Sequence, residues 1–203
     1  MMSTLVNFQE LPVIGTDPPE RADAARNRRR ILAAAEKLFA ENGVSCTSMD
    51  AIAAEAGVGK GTLFRRFGDR ASLARALLSE RDSGFQEAFI RGEPPLGPGA
   101  PARERLHAFG KAYLDVLDTH HALIVEAERA PRFVMAPYVA YRTHLLILLR
   151  EASPVCDADV AADALLAVLA AGLFAHLRGD REVELDRLAA VWCAMVDGVI
   201  AAA

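Results

Sequence analysis

Residues 47–73, TSMDAIAAEAGVGKGTLFRRFGDRASL, constrain this chain more than any other stretch. The Thr47 hydroxyl, with Asp50 three positions on, fits a helix N-terminus that is capped from both sides. Met49, Ile52 and Ala53 then fall on one helical face, and Gly57 ends the run where the backbone must turn through positive φ. Val58 is placed to fill the angle that follows. Lys60 to Phe67 supplies a second short helix with Leu63 and Phe67 four apart, and Asp69 is placed to cap a third. Two short helices joined by a tight glycine turn make a helix-turn-helix, whose second helix enters the major groove of DNA.

Charge supports that reading. Residues 21–75 hold 11 Lys and Arg against six Asp and Glu, on a chain whose formal net charge is −4. A basic module on an otherwise acidic chain is the electrostatic footprint of a nucleic-acid reader, the plainer alternative being a solvated basic face. Hydrophobic residues are 52% of the 203 and aromatics only 6%; the excess lies in Ala and Leu, both helix formers. An all-α fold is therefore expected. No apolar stretch runs the ~18–20 residues of a membrane span without a charged or polar break, since Asp163 and His176 interrupt 160–177. No cationic start precedes an apolar core at the N-terminus, so neither a signal peptide nor membrane attachment is expected. Cys46, Cys156 and Cys193 share no metal-ligand spacing, and a reducing cytoplasm is the expected setting.

Residues 51–73, with the pattern A-I-A-x-x-A-G-V-x-K-G-T-L-F-x-x-F-x-x-R-x-x-L, resemble the DNA-binding domain of the TetR/AcrR-type transcriptional regulators. The resemblance is strong over about 24–80 and architectural beyond. It implies an N-terminal three-helix helix-turn-helix domain followed by a helical ligand-binding and dimerisation domain, about nine helices in all. The division expected is a flexible arm at 1–22, a DNA-binding domain at 23–69, and a sensing and dimerisation domain at 70–203. Within the reader, Lys60, Gly61 and Thr62 open the recognition helix, where a cation, a hydroxyl and free backbone N–H groups suit phosphate oxygens and glycine permits close approach. Arg65 and Arg66 are candidates for guanine edges, or for phosphate alone. The resemblance gives phosphate contacts to Thr47 and Arg70 as well. Phe64 stands where the family often has tyrosine, which removes a hydroxyl contact, and Gly59 where many relatives carry a capping serine. Arg28 belongs to a group (Arg26, Arg28, Arg29, Arg30) that crowds the first turns of the opening helix against its dipole, a crowding that a phosphate would relieve.

The first helix is expected from about Asp23 to Glu41, ended by Asn42-Gly43, and a long one from Arg70 toward Ile90, ended by the Pro/Gly-rich run 92–101. Further helices are expected at about 102–119, 121–130, 135–151, 157–178 and 184–201. By resemblance the middle helices enclose a cavity for a small molecule, with Phe85, Phe89, Phe109, Tyr113, Leu117, Ile124, Phe133, Tyr138, Tyr141 and Phe174 as candidate walls, although aromatics at helical spacing also make ordinary core. The last two helices, rich in small and aliphatic residues, are expected to pair with a second subunit through Leu165, Val168, Gly172, Leu188, Val191, Met195 and Val199. GVGKGT at 57–62 lacks both the leading glycine and the hydroxyl after lysine of a nucleotide-binding loop. No cofactor, metal site or catalytic motif is expected. The function implied is a repressor released from a palindromic operator by a small-molecule effector, the alternative being an effector-independent architectural DNA-binding factor.

Overall fold

The computed structural model describes residues 22–129, 133 and 135–202; the arm expected before them lies outside, save for Ala22, which begins the first helix. The described residues form nine α-helices and no strand: α1 Ala22–Asn42, α2 Met49–Glu55, α3 Lys60–Phe67, α4 Arg70–Arg91, α5 Ala102–Ala127, α6 Ala136–Ala152, α7 Ala158–Val168, α8 Ala171–Ala175 and α9 Leu185–Ala201. A single π-helical turn, His176–Asp180, follows α8.

Two hydrophobic clusters organise these helices. The first gathers Ile31, Leu32, Ala35 and Phe39 of α1, Ile52 and Ala53 of α2, Leu63 and Phe67 of α3, and Leu73 and Leu77 of α4. Ile31, Ile52, Leu63 and Leu73 are fully buried, and each such side chain stabilises the fold by roughly 1.5–3 kcal/mol. The second joins α4 through α9 around Leu106, Phe109, Leu117, Leu145, Leu149, Leu165 and Trp192. α4 serves both, giving Leu73 and Leu77 to one and Ala74, Leu78 and Phe89 to the other, while Leu123 of α5 packs against each.

Two breaks differ from expectation. The stop expected at Thr119-His120 does not occur, and α5 runs unbroken from Ala102 to Ala127. Neither residue opposes a helix by more than about 0.7 kcal/mol, and Thr119 Oγ1 donates to the Asp115 carbonyl at 3.0 Å within the helix. Burial of Leu117 and Ile124 on either side outweighs that local preference. The single helix expected over 157–178 is instead divided, with Ala170 extended at ψ 132°. At about 100° per residue an unbroken helix would carry Ala171 and Phe174 to the side opposite Leu165 and Leu169. All four are buried, so the break at Ala170 re-phases the chain to bring both sets inward. Among the described residues the segment 158–180 alone is long and apolar enough to cross a membrane, with 33% of its apolar window buried in one chain.

α5 and α9 are locked by one aromatic side chain. Trp192 is buried, and its Nε1 donates to the Leu106 carbonyl at 2.9 Å. Its ring lies flat on Gly110, where a Cβ would come within 2.1 Å of the indole. Gly110→Ala is therefore expected to destabilise the protein by about 1–3 kcal/mol through overpacking, read by urea unfolding and by emission of the single tryptophan. A second prediction concerns His144, whose ring lies tilted against Phe89 at 4.5 Å and Phe109 at 5.6 Å. Burial, aided by the Arg105 charge, lowers its pKa to about 4. The unfolded chain binds this proton from near pH 6.5 and the folded one only near pH 4, so stability falls as pH drops through that window. His144→Phe is expected to flatten that segment of the thermal midpoint against pH.

Candidate nucleic-acid interface and the cavity behind it

The expected turn between the two short helices is built by α2 and α3. Gly57 N–H donates to Ala54 O at 3.1 Å and Val58 N–H to Ala53 O at 3.0 Å, the paired bonds of a Schellman C-cap. Gly57 sits at φ +61°, and a Cβ there would also strike Arg30 Nη2 at 2.6 Å; that guanidinium donates instead to the Gly57 carbonyl at 3.3 Å. The positive φ is what favours glycine here, since the exposed Arg30 tip could swing aside. The N-cap of α2 corrects the sequence reading. Ser48, not Thr47, accepts from Ala51 N–H at 3.1 Å. Thr47 is 3% exposed, and its hydroxyl donates to the carbonyls of Gly43 at 2.8 Å and Leu38 at 3.1 Å. Its hydroxyl ties α1 to the turn before α2 and is unavailable as the expected phosphate donor. Two adjacent hydroxyl residues made the assignment ambiguous from sequence.

α3 presents opposite faces to the core and to solvent. Leu63 and Phe67 point inward, while Lys60, Gly61, Phe64 and Arg65 are exposed, with Thr62 and Arg66 half-buried on the flank. Gly59 caps the helix in extended conformation without a side-chain bond. A Cβ on Gly61 would meet nothing within 4 Å, so the glycine leaves an open surface where a groove wall could close in. Lys60 Nζ pairs with Asp50 at 2.5 Å, both side chains well exposed; such a pair contributes at most about 1 kcal/mol, and a phosphate can displace the carboxylate. Arg65 Nη2 reaches Thr62 Oγ1 at 3.5 Å, a weak hold that leaves the guanidinium able to swing outward. Arg28 lies half-buried on α1, and the Arg26–Asp23 pair in the same turns partly offsets the crowding of cations there. Asp69 caps α4 by accepting from Ser72 N–H at 2.6 Å, a bond that holds its carboxyl below the ordinary range.

Arg70 departs from the role expected of it. Its guanidinium points inward, with Nη1 donating to Ser45 O at 2.9 Å and Thr47 O at 3.2 Å, and Nη2 and Nε meeting Glu126 at 3.1 and 3.0 Å. Glu126, near the end of α5, is only 7% exposed. A buried carboxylate without a partner is costly; Arg70 Nη2 donates to one of its oxygens, and the other lies near two cations, 3.0 Å from Arg70 Nε and 3.7 Å from Arg129 Nη1. Arg70 thus clamps the turn before α2 and the head of α4 to the tail of α5, instead of facing outward to phosphate. Nothing local to Glu126 in the sequence announces a partner 56 residues away.

Immediately behind the clamp is a cavity of about 340 Å³. Arg75, Leu78 and Ser79 of α4, Tyr113, Ile124 and Ala127 of α5, Tyr138 and Tyr141 of α6, and Leu166 of α7 line it, with Glu128 and residues 135–137 at one side. Tyr113, Ile124, Tyr138 and Tyr141 are thus where sequence expected them. Phe85, Phe89 and Phe109 are not wall; they pack edge-to-face or tilted on one another at 5.3–5.6 Å and fill the core beyond. Leu117 is core, Phe174 packs against His121, and Phe133 is largely exposed with its ring against Tyr138 at 5.2 Å. The wall is overwhelmingly apolar, and several of its polar groups are engaged within the protein. Arg75 donates to the Ala127 carbonyl and to Ser72 Oγ, Ser79 to Ala76 O, and Tyr138 OH to Asp163 Oδ1. The Tyr138 bond leads the effects that hold the Asp163 carboxyl below its usual range. No cluster of metal-ligating side chains occurs among the described residues.

The outer face of α7–α9 carries Val160, Ala164, Ala167, Gly172 and Leu173, then Val191, Ala194 and Gly198, all exposed; Val160 is 62% and Val191 57% accessible. Of the residues expected at a subunit interface, Gly172 and Val191 lie on this face. Leu165 is instead fully in the core, and Val168, Leu188, Met195 and Val199 are half-buried against that core.

Residues 31–77 match the family of bacterial regulatory proteins, tetR family. An HTH-type transcriptional regulator of Staphylococcus aureus (strain USA300) is 53% identical over 62 residues, 30% of this chain and 33% of that protein. The chain therefore spans about a third of the length of the curated relatives it matches. A TetR-like transcriptional regulator from Rhodococcus sp. RHA1 aligns with TM-score 0.62 and 24% identity over 92% of this chain and 100% of its own, which speaks to the fold. NalD, the secondary repressor of the MexAB-OprM multidrug efflux pump in Pseudomonas aeruginosa, aligns with TM-score 0.57 and 25% identity over 88% of this chain and 98% of its own.

The clamp gives a direct energetic test. Removing Glu126 leaves the Arg70 guanidinium, 22% exposed, with the carbonyls of Ser45 and Thr47 but no counter-charge, so Glu126→Leu is expected to cost roughly 1–3 kcal/mol in urea unfolding. The double variant Arg70→Met, Glu126→Leu should recover most of that loss. A double variant no better than Glu126→Leu alone would show that the two side chains act independently.

Proposed function

Given that the chain carries the DNA-binding domain of the tetR family of bacterial regulatory proteins, a non-enzymatic class of transcriptional regulators, we propose that it is a dimeric repressor released from a roughly palindromic operator by a small apolar effector. The observation that carries the reading is the outer face of α3, where Lys60, Gly61 and Arg65 stand exposed opposite the buried Leu63 and Phe67. Residues 23–69 read DNA, with Lys60, Thr62 and the helix N-terminus on phosphates and Arg65 or Arg66 on base edges. Residues 70–203 sense and dimerise. The exposed apolar face of α7–α9 supports pairing with a second copy, because an apolar surface of that kind is covered in a stable protein. A two-fold pair sets two recognition helices about one DNA turn apart, hence the palindrome. The bacterial cytoplasm, where operator DNA lies, is the setting this reading implies.

The cavity supports an effector in preference to a constitutive architectural role. Its walls suit a neutral, apolar or aromatic molecule, since its apolar surface offers little to an ion and Arg75 is engaged by the Ala127 carbonyl and Ser72 Oγ. The repressor role of NalD, alike over nearly its full length, favours repression over activation. An occupant pressing on Ile124 and Ala127 displaces the helix end that bears Glu126, and with it Arg70 and the turn before α2. Such a molecule releases DNA only if it binds the DNA-incompetent arrangement more tightly than the competent one.

Selection of duplexes from a random pool by the purified protein, followed by salt titration, tests the reading. An enriched palindrome with half-sites about one turn apart is expected. Lys60→Ala should weaken all sequences alike and flatten the salt dependence by about one unit per lost phosphate contact, whereas Arg65→Ala should cost about 1–3 kcal/mol and relax the preference at one position. A pool that enriches nothing, or equal affinity for all duplexes, would contradict sequence-specific regulation.

A further inference from the structure

Phe64 is the one large apolar side chain on the reading face of α3. It is 47% exposed, belongs to neither hydrophobic cluster, and stands beside the open surface at Gly61, three residues earlier on the same side of the helix. Lys60 lies one turn before it and Arg65 immediately after. Isolated exposed hydrophobes are ordinary on protein surfaces, so exposure alone says little. Position is what distinguishes this one. A phenyl ring between two cations on a groove-facing helix neither donates nor accepts a hydrogen bond, so it cannot serve the phosphates its neighbours serve. The base-edge feature of the major groove that rewards an apolar side chain is the 5-methyl group of thymine. The bare Cα of Gly61 leaves room for that methyl group to lie against the ring, where any side chain at 61 would stand in its way.

We propose that Phe64 is a specificity-determining residue that reads the 5-methyl group of one thymine in each operator half-site. This rests on the DNA-reading function above and adds the base it selects. The contact contributes affinity by burying a methyl group against the ring and at Gly61, while Lys60 and Arg65 hold the helix in register.

Replacement of each thymine in the selected operator by deoxyuridine, which removes only the methyl group, tests the proposal with the full-length protein. One thymine per half-site should show a loss of about four-fold, or about 15-fold when both half-sites are changed, the equivalent of one buried methyl group each. Phe64→Ala should abolish that difference, measured at reduced salt where phosphate contacts still hold the complex. Phe64→Leu, still apolar, should retain part of it. A flat deoxyuridine scan, or a penalty undiminished in Phe64→Ala, overturns the proposal while leaving sequence-specific DNA binding intact. A pool that enriches no sequence at all overturns both.

Discussion

One buried ion pair joins the halves of this protein. Arg70 and Glu126 meet through two nitrogens and two oxygens, with the remaining donors of Arg70 on the carbonyls of Ser45 and Thr47. The Glu126 carboxylate is buried, so separating it from Arg70 is costly and favours joint movement of the two elements that carry them. The clamp fixes where the tail of α5 sits on the head of α4, and the turn before α2 is held to the same point. Arg75, one turn along α4, repeats the attachment through the carbonyl of Ala127. The cavity shares its wall with both residues flanking this contact, Arg75 and Ala127. The cavity wall and the helix-turn-helix are thereby attached through the same few groups.

The far side of the molecule is equally tied to α5. Trp192 lies flat on Gly110 and bonds the Leu106 carbonyl, so α9 cannot shift without α5. Arg103 and His107 of α5 add a shared contact to Asp197 of α9 at 2.7–2.8 Å. α5 therefore connects the apolar outer face to the clamp. Packed interiors are close to incompressible, and a displacement at one end of such a helix is passed on, not absorbed. In the function proposed above, that is the route by which a small occupant of the cavity alters the setting of α3.

Sequence revealed the parts of the fold that are decided locally. The glycine at 57, the apolar spacing of Ile52, Leu63 and Phe67, and the cap at Asp69 each act over a few residues, and the helices they specify are present. Errors arose where a distant partner decides. Thr47 and Ser48 are interchangeable as caps by composition; the carbonyls of Leu38 and Gly43, which fold back from α1, draw Thr47 inward. Arg70 reads as one more cation in a basic stretch until Glu126 is brought beside it. Phe85, Phe89 and Phe109 have the spacing of either a core or a cavity wall, and only the crossing of α4, α5 and α6 shows which rings face each other. The break at Ala170 has no proline or glycine at that position to mark it, because its cause is the need to bury both Leu165 and Phe174.

Amide hydrogen exchange of the full-length protein, with and without the operator duplex recovered by selection, addresses the coupling most directly. Coupling through Arg70 and Glu126 predicts that DNA slows exchange at 123–129, in the last turn of α5, as well as across α2 and α3, because linkage between two sites is reciprocal. Slowing confined to residues 22–69, with α5 unchanged, would mean that the reader binds DNA independently of the cavity and would contradict the coupling.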